Sequence, residues 1–231
     1  GLGDVYKRQD HKRAYEDDTG PNTGGMGTYS DSDHSLPFLE KSHIESAQKI
    51  NEKTAKALKH KFGEGYKGIL YGGFIATNAG VQLIEYNARF GDPEAMNVLS
   101  ILDSDLIEIC EAIISEDLYN TKVVFKNLAT VCKYAVPEGY PDDPVKGHQI
   151  DVSEIKNKNI LFYASVENKN DNLIQIGSRA IAIVGHGETI WEAEQIAEKN
   201  ILKVKGPLFH RKDIGTTDLI QKKINHMSSL K

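Results

Sequence analysis

The chain has 231 residues, a mass of 25.6 kDa, a formal net charge of -5 and a pI of about 5.9. This acidic balance argues against a nucleic-acid binder, which would show a basic face, and no apolar run approaches the roughly 20 residues that a membrane-spanning helix needs. With 39% hydrophobic and 26% charged residues, the composition suits a packed core in one large domain or two small ones.

Cys110 and Cys132 stand far apart, which predicts free core thiols in a reducing compartment. With no secretory signal, a cytoplasmic location is expected. Residues 1–9, GLGDVYKRQ, have neither a cap pattern nor an apolar period. They read as a non-native junction, so the chain is expected to begin partway through a domain. Residues 10–37 read as polar loop punctuated by Pro21 and Pro37. Within it, Gly20, Gly24, Gly25 and Gly27 crowd into TGPNTGGMG, directly after Glu16, Asp17 and Asp18. Such glycines admit close approach to the backbone and positive φ, and successive N–H groups can cradle an anion. The three acids would repel a phosphate and suit an ammonium instead, whereas Lys12 and Arg13 could face a phosphate. His11 reads as bracing the loop in preference to catalysis.

Residues 41–62 predict a helix, because Ile44, Ala47, Ile50, Thr54, Leu58 and Phe62 recur at steps of three or four before Gly63 and Gly65. GILYGGFIAT (68–77) and VQLIEYNAR (81–89) predict a hairpin around NAG. Strand alternation then sends Glu85, Asn87 and Arg89 to one face. A carboxylate and a carboxamide side by side suit a hard cation that keeps phosphate and water ligands, as Mg²⁺ does. A guanidinium beside them can take charge that develops during phosphoryl transfer. The same triplet could be a solvated ladder, but its place at a strand's C-terminal end, before the turn RFGDPE, favours a site. A helix is predicted over 93–115, with Asp92 as its cap.

Further along, LATVCKYAVP, NILFYASVEN and SRAIAIVGHG predict strands. His186 falls in a turn there. Thr189 and Glu192 form a capping-box pattern opening a helix over 190–204, with Trp191 in the core, and GPLFHRKDIG reads as loop. The predicted class is α+β.

DHKRAYEDDTGPNTGGMGTYS and LIEYNARFGDPEAMNVL, with GSRAIAIVGHGETIWEAEQIAEK and FHRKDIG, resemble the glycinamide ribonucleotide synthetase family of ATP-grasp ligases, from about Asp10 to Ile220. The resemblance implies the second half of an ATP-grasp core over 10–127 and a small α/β C-terminal domain over 128–231, with the family's N-terminal domain and ATP lid missing. It implies ATP-dependent joining of glycine to 5-phosphoribosylamine through a glycyl phosphate, in purine biosynthesis. Glu85 and Asn87 match the family's pair for Mg²⁺ or Mn²⁺, and together with Arg89 they serve ATP. Arg89 is placed near the transferred phosphoryl group. Asp18, Lys12, Arg13, Gly24 and Gly25 are then expected on the substrate side, with Asp18 at an amino group. Partners are the three small substrates, without nucleic acid or membrane, and the complete enzyme is expected to be a monomer. The fragment alone is expected to be inactive. Alternatives are a non-catalytic metal- or nucleotide-binding module, or another ATP-grasp carboxylate–amine ligase. Tyr15 and Glu16 depart from the family's usual Gly and Asp. Arg179 and residues 211–215 could face the cleft or brace the two domains.

Overall fold

A computed structural model describes residues 9–229, so the junction expected over 1–9 lies outside the described residues except for Gln9. The stretch read as loop holds short strands: β1 (Gln9–Asp10), β2 (Arg13–Tyr15), β3 (Thr19–Asn22) and β4 (Gly27–Ser30). At two to four residues each, they are too short for alternation to show. β2 and β3 pair as a small hairpin across a 3-10 turn at Glu16–Asp18. Helix α1 (Lys41–Phe62) has the predicted bounds. Glu40 and His43 close its start reciprocally, and Gly63 ends it at φ 80°.

Strands β5 (Tyr71–Thr77) and β6 (Gly80–Asn87) form the predicted hairpin, with α1 packed on one face through the hydrogen bonds of Tyr86 Oη to Asn51 Oδ1 (2.9 Å) and Thr54 Oγ1 (3.1 Å). The helix expected over 93–115 is two helices, α2 (Glu94–Ser100) and α3 (Leu106–Ile114). The break falls at residues 101–105, where Asp105 Oδ1 accepts the Ile107 N–H at 2.7 Å. Short polar side chains compete for backbone N–H groups, which suits them to caps rather than helix interiors. Asp92 does not cap α2; Pro93 stands at that position and no side chain caps it.

The remaining strands are β7 (Ala129–Pro137), β8 (Gln149–Ile150), β9 (Leu161–Tyr163), β10 (Val166–Lys169), β11 (Asn172–Gln175), β12 (Ile181–Gly187) and β13 (Leu208–Phe209). NILFYASVEN thus divides into two strands that join different sheets. Helix α4 (Ile190–Ile201) follows Thr189, whose Oγ1 accepts the Glu192 N–H at 3.2 Å. Helix α5 (Thr217–Ser229) was not anticipated. The mixed class agrees with the α+β expectation, and the main sheet is antiparallel in the order β1-β4-β7-β12-β9, with β13 on the far end of β7. This sheet spans the 127/128 boundary drawn from sequence, because β4 of the glycine-rich segment pairs along β7.

β7 is buried throughout and divides the fold. By alternation, Val131, Lys133 and Ala135 face α4, while Thr130, Cys132 and Tyr134 face α2 and the glycine-rich segment. Gly185 lets α4 lie on the sheet, since a Cβ there would fall on the Ala193 carbonyl. Neither cysteine is in a disulfide; Cys132 is core, but Cys110 is exposed on α3. Trp191 is also exposed, at 58%, on the outer face of α4. Among the described residues no helix is long and apolar enough to cross a membrane.

Candidate active site

The candidate residues Glu85 and Asn87 lie on the face of the β5–β6 hairpin that α1 leaves open. Glu85 pairs with Gly73 and Asn87 with Tyr71, so both side chains leave that face. A bulge lies just before the pair. Gly73 pairs with Glu85 but Phe74 with Leu83, leaving Ile84 without a partner. Leu83 and Glu85 therefore lie on opposite faces, not on one as strict alternation predicts. Neither Glu85 nor Asn87 has a side-chain hydrogen bond among the described residues, and Gly73 beside Glu85 adds no side chain. Two uncommitted oxygen donors fit a hard divalent cation. Among the described residues no group of three or more His, Cys, Asp or Glu could hold a metal. Arg89 lies past the end of β6, exposed, and donates from Nη1 to the Phe90 carbonyl at 2.7 Å; the strand register does not place it on the Glu85 face.

Buried Glu94 lies over the same face. Tyr71, directly across from Asn87, donates its hydroxyl to Glu94 Oε1 at 2.8 Å. Glu94 and Glu85 both act on Lys12, whose Nζ sits 3.0 Å from Asp10 Oδ2. Burial alone would lower the Lys12 pKa, but Asp10 holds it above the usual lysine value. Asp10 is pushed up to about 6, by burial first and then by Glu94, and its Oδ1 is buried without a partner. The hairpin face and the DHKR segment thus come together. A raised carboxylate pKa means the native state binds more protons between about pH 4 and 6, so stability falls as pH rises through that window. Asp10→Asn is expected to stabilise the chain by about 1–2 kcal/mol at pH 8 and by much less at pH 4. Urea unfolding at the two pH values checks this; equal gains at both would refute it.

The glycines answer to the protein itself. A Cβ on Gly24 would lie 3.3 Å from the Arg179 guanidinium carbon, and one on Gly25, at φ 113°, would lie 2.7 Å from Pro93 Cδ. The N–H of Gly24 donates to Tyr140 Oη at 2.9 Å and that of Gly25 to Thr23 Oγ1 at 3.0 Å. These two N–H groups are therefore already taken by protein hydroxyls. Arg13 Nη1 donates to the Gly20 carbonyl at 2.9 Å, holding the β2–β3 hairpin.

Asp18, expected at a substrate ammonium, takes protein cations instead. Its Oδ1 lies 3.2 Å from His11 Nδ1 and 2.9 Å from Arg211 Nη1, and its Oδ2 is 2.6 Å from Lys223 Nζ of α5. The His11 hydrogen bond, then those of Lys223 and Arg211, hold the Asp18 carboxyl well below the usual range despite partial burial. His11 is buried, and burial lowers its pKa, so it braces the loop as a neutral ring. Asp17 pairs with Lys222, and its N–H reaches Asp213 Oδ2 at 3.0 Å. No local pattern signals these contacts, because the partners lie 205 and 196 residues apart.

Residues 3–95 match the phosphoribosylglycinamide synthetase ATP-grasp (A) domain, and residues 130–217 match the phosphoribosylglycinamide synthetase C domain. The phosphoribosylamine–glycine ligase of Methanocaldococcus jannaschii is 54% identical over 226 residues, covering 96% of this chain and 51% of that protein. The Methanosarcina barkeri enzyme of the same name is 52% identical over 223 residues, with 96% and 51% covered. A crystal structure of phosphoribosylamine–glycine ligase from Thermotoga maritima superposes with a TM-score of 0.71 at 30% identity, over 90% of this chain and 50% of that one. The chain spans about half the length of the curated relatives it matches. With both domain types matched in order, the chain belongs to the phosphoribosylglycinamide synthetase family.

Proposed function

We propose that this chain provides the metal-holding and substrate-side parts of an ATP-dependent ligase that joins glycine to 5-phosphoribosylamine, giving glycinamide ribonucleotide. The observation that carries the reading is the shared, uncommitted face of Glu85 and Asn87, with Glu94 and Lys12 gathered over it. The family match and the relatives' names support the same reaction. Glu85 and Asn87 would hold Mg²⁺ or Mn²⁺, which supplies charge neutralisation for the ATP phosphates.

In the first step a glycine carboxylate oxygen attacks the γ-phosphorus, its bond to the β-phosphate oxygen breaks, and ADP leaves. In the second, the amine of phosphoribosylamine attacks the acyl carbon, inorganic phosphate leaves, and the nitrogen loses a proton. The protein's part is positioning and charge balance. Lys12, held by Asp10, supplies a cation beside the pair. Arg89, once turned from the Phe90 carbonyl, supplies a second toward the transferred group. Arg13 keeps N–H groups beyond the one given to Gly20, and these can meet a substrate phosphate. Asp18 acts as an anchor of the surrounding loop. The reaction needs only small-molecule partners and suits the cytoplasm.

The test pairs two measurements. The chain is assayed for ADP formation from ATP, glycine and phosphoribosylamine, alone and mixed with the half of the M. jannaschii relative that it does not match. Little ADP from the chain alone, with glycine-dependent ADP from the mixture, is expected. Separately, Glu85→Ala is expected to weaken Mn²⁺ binding to the chain at least tenfold by electron paramagnetic resonance, with an unchanged urea midpoint. Retained Mn²⁺ affinity would remove Glu85 from the metal site, and ADP formation indifferent to glycine would overturn the substrate assignment.

A further inference from the structure

Two bodies meet at this site. The β5–β6 hairpin carries Glu85 and Asn87, while the glycine-rich segment runs into β4 of the main sheet. The turn between Gly91 and Glu94 touches both. On one side, Glu94 is held by Tyr71 across from Asn87. On the other, both oxygens of Asp92 are held, Oδ1 by the Tyr134 hydroxyl at 3.1 Å and Oδ2 by Arg179 Nη2 at 2.7 Å. The same guanidinium donates from Nη1 to the Gly24 carbonyl at 3.0 Å and the Gly25 carbonyl at 3.2 Å, and its Cζ lies 4.5 Å over the Tyr134 ring.

We infer that Arg179 is a positioning residue: its planar fork fixes the Gly24–Gly25 loop to the Asp92 turn and thereby sets that loop in register with the Glu85 and Asn87 face. The inference rests on the proposal that this face holds the cation. The geometry asks for a guanidinium. One group must reach two carbonyls and a carboxylate in different directions while lying flat on an aromatic ring, and a lysine ammonium cannot do this. The side chain is only 15% exposed, and nearly all its reach is spent on this contact set. A brace of the main sheet would instead contact sheet backbone, and none of these partners is a paired strand carbonyl.

The test uses the 231-residue chain with Mn²⁺ as a paramagnetic probe. In the unmodified chain, Mn²⁺ is expected to broaden the amide signals of residues 85–87 and, more weakly, of Gly24 and Gly25. Arg179→Gln is expected to reduce the broadening at Gly24 and Gly25 at least twofold while leaving 85–87 unchanged, with Arg179→Lys intermediate. Amide exchange, measured without metal, is expected to rise at least tenfold at Met26 and Ala95 in Arg179→Gln, with β7 and β12 unchanged. Unchanged exchange at Met26 and Ala95 would overturn the inference, as would faster exchange across the whole sheet, which marks a general structural role. Absence of broadening at 85–87 in the unmodified chain would instead sink the proposed metal site, and the exchange arm would still decide the role of Arg179.

Discussion

Replacing Lys133 with Met is expected to destabilise the chain by about 3–5 kcal/mol, because it strands buried charge. Lys133 is fully buried on β7, and its three ammonium protons have three acceptors: Glu194 Oε1 at 2.7 Å, Glu198 Oε2 at 2.6 Å and the Lys212 carbonyl at 2.8 Å. Removing the cation leaves Glu194, itself 3% exposed, without an ion-pair partner among the described residues. A double replacement, Lys133→Met with Glu194→Leu, is expected to lose less than the single one, since no charge is then left buried and unpaired. Burial alone would raise the Glu198 pKa, but hydrogen bonds from His210 and Lys133 hold it at about 2. For a depressed carboxylate, the stabilisation is present above the ordinary value near 4.5 and is lost as pH falls toward 2. The acid-induced loss over that window should shrink in Lys133→Met. Urea titrations at pH 7, 4 and 3 check both expectations; additive single and double effects would refute the stranded-charge account.

What sequence could and could not disclose follows from the range of the interactions. α1 and the β5–β6 hairpin were legible because their signals are local: apolar steps of three or four, and a two-strand pattern around a glycine turn. The Glu85 and Asn87 pair was legible for the same reason, although the bulge at Ile84 was not, since nothing in VQLIEYN marks which residue drops out of register. The strands β1–β4 are too short for alternation to show, and one of them, β4, pairs along β7, about a hundred residues away. Asp92 looked like a helix cap because Pro follows it, yet its carboxylate is claimed by Tyr134 and Arg179, which only the folded chain brings there. Asp17 and Asp18 show the same limit. Counted locally they look like unmet negative charge, whereas Arg211, Lys222 and Lys223, which meet them, come from the far end of the chain.

That last point leads to a measurable consequence. Asp18→Asn is expected to reduce stability by about 2–3 kcal/mol and to loosen α5 from the 3-10 turn. Asp18 gathers His11, Arg211 and Lys223 on its two oxygens. The loss is less than for a fully orphaned cation, because Arg211 keeps Asp213, with Nε to Oδ1 at 2.9 Å and Nη2 to Oδ2 at 2.6 Å. The sign with pH follows from the depressed carboxyl: its stabilisation is complete above the ordinary value of 3.8 and disappears as pH falls below it. The difference between the unmodified chain and Asp18→Asn should therefore be full at pH 7 and fade below about pH 3.5. Urea unfolding over that range measures the gap, and amide exchange of Leu219 and Ile220 reports whether α5 has loosened. The two roles considered for Asp18 part company here. A carboxylate kept for a substrate ammonium would leave stability and α5 untouched on conversion to Asn, and only ligand binding would suffer. An anchor loses stability with no ligand present, because the ammonium it holds is Lys223 of its own chain.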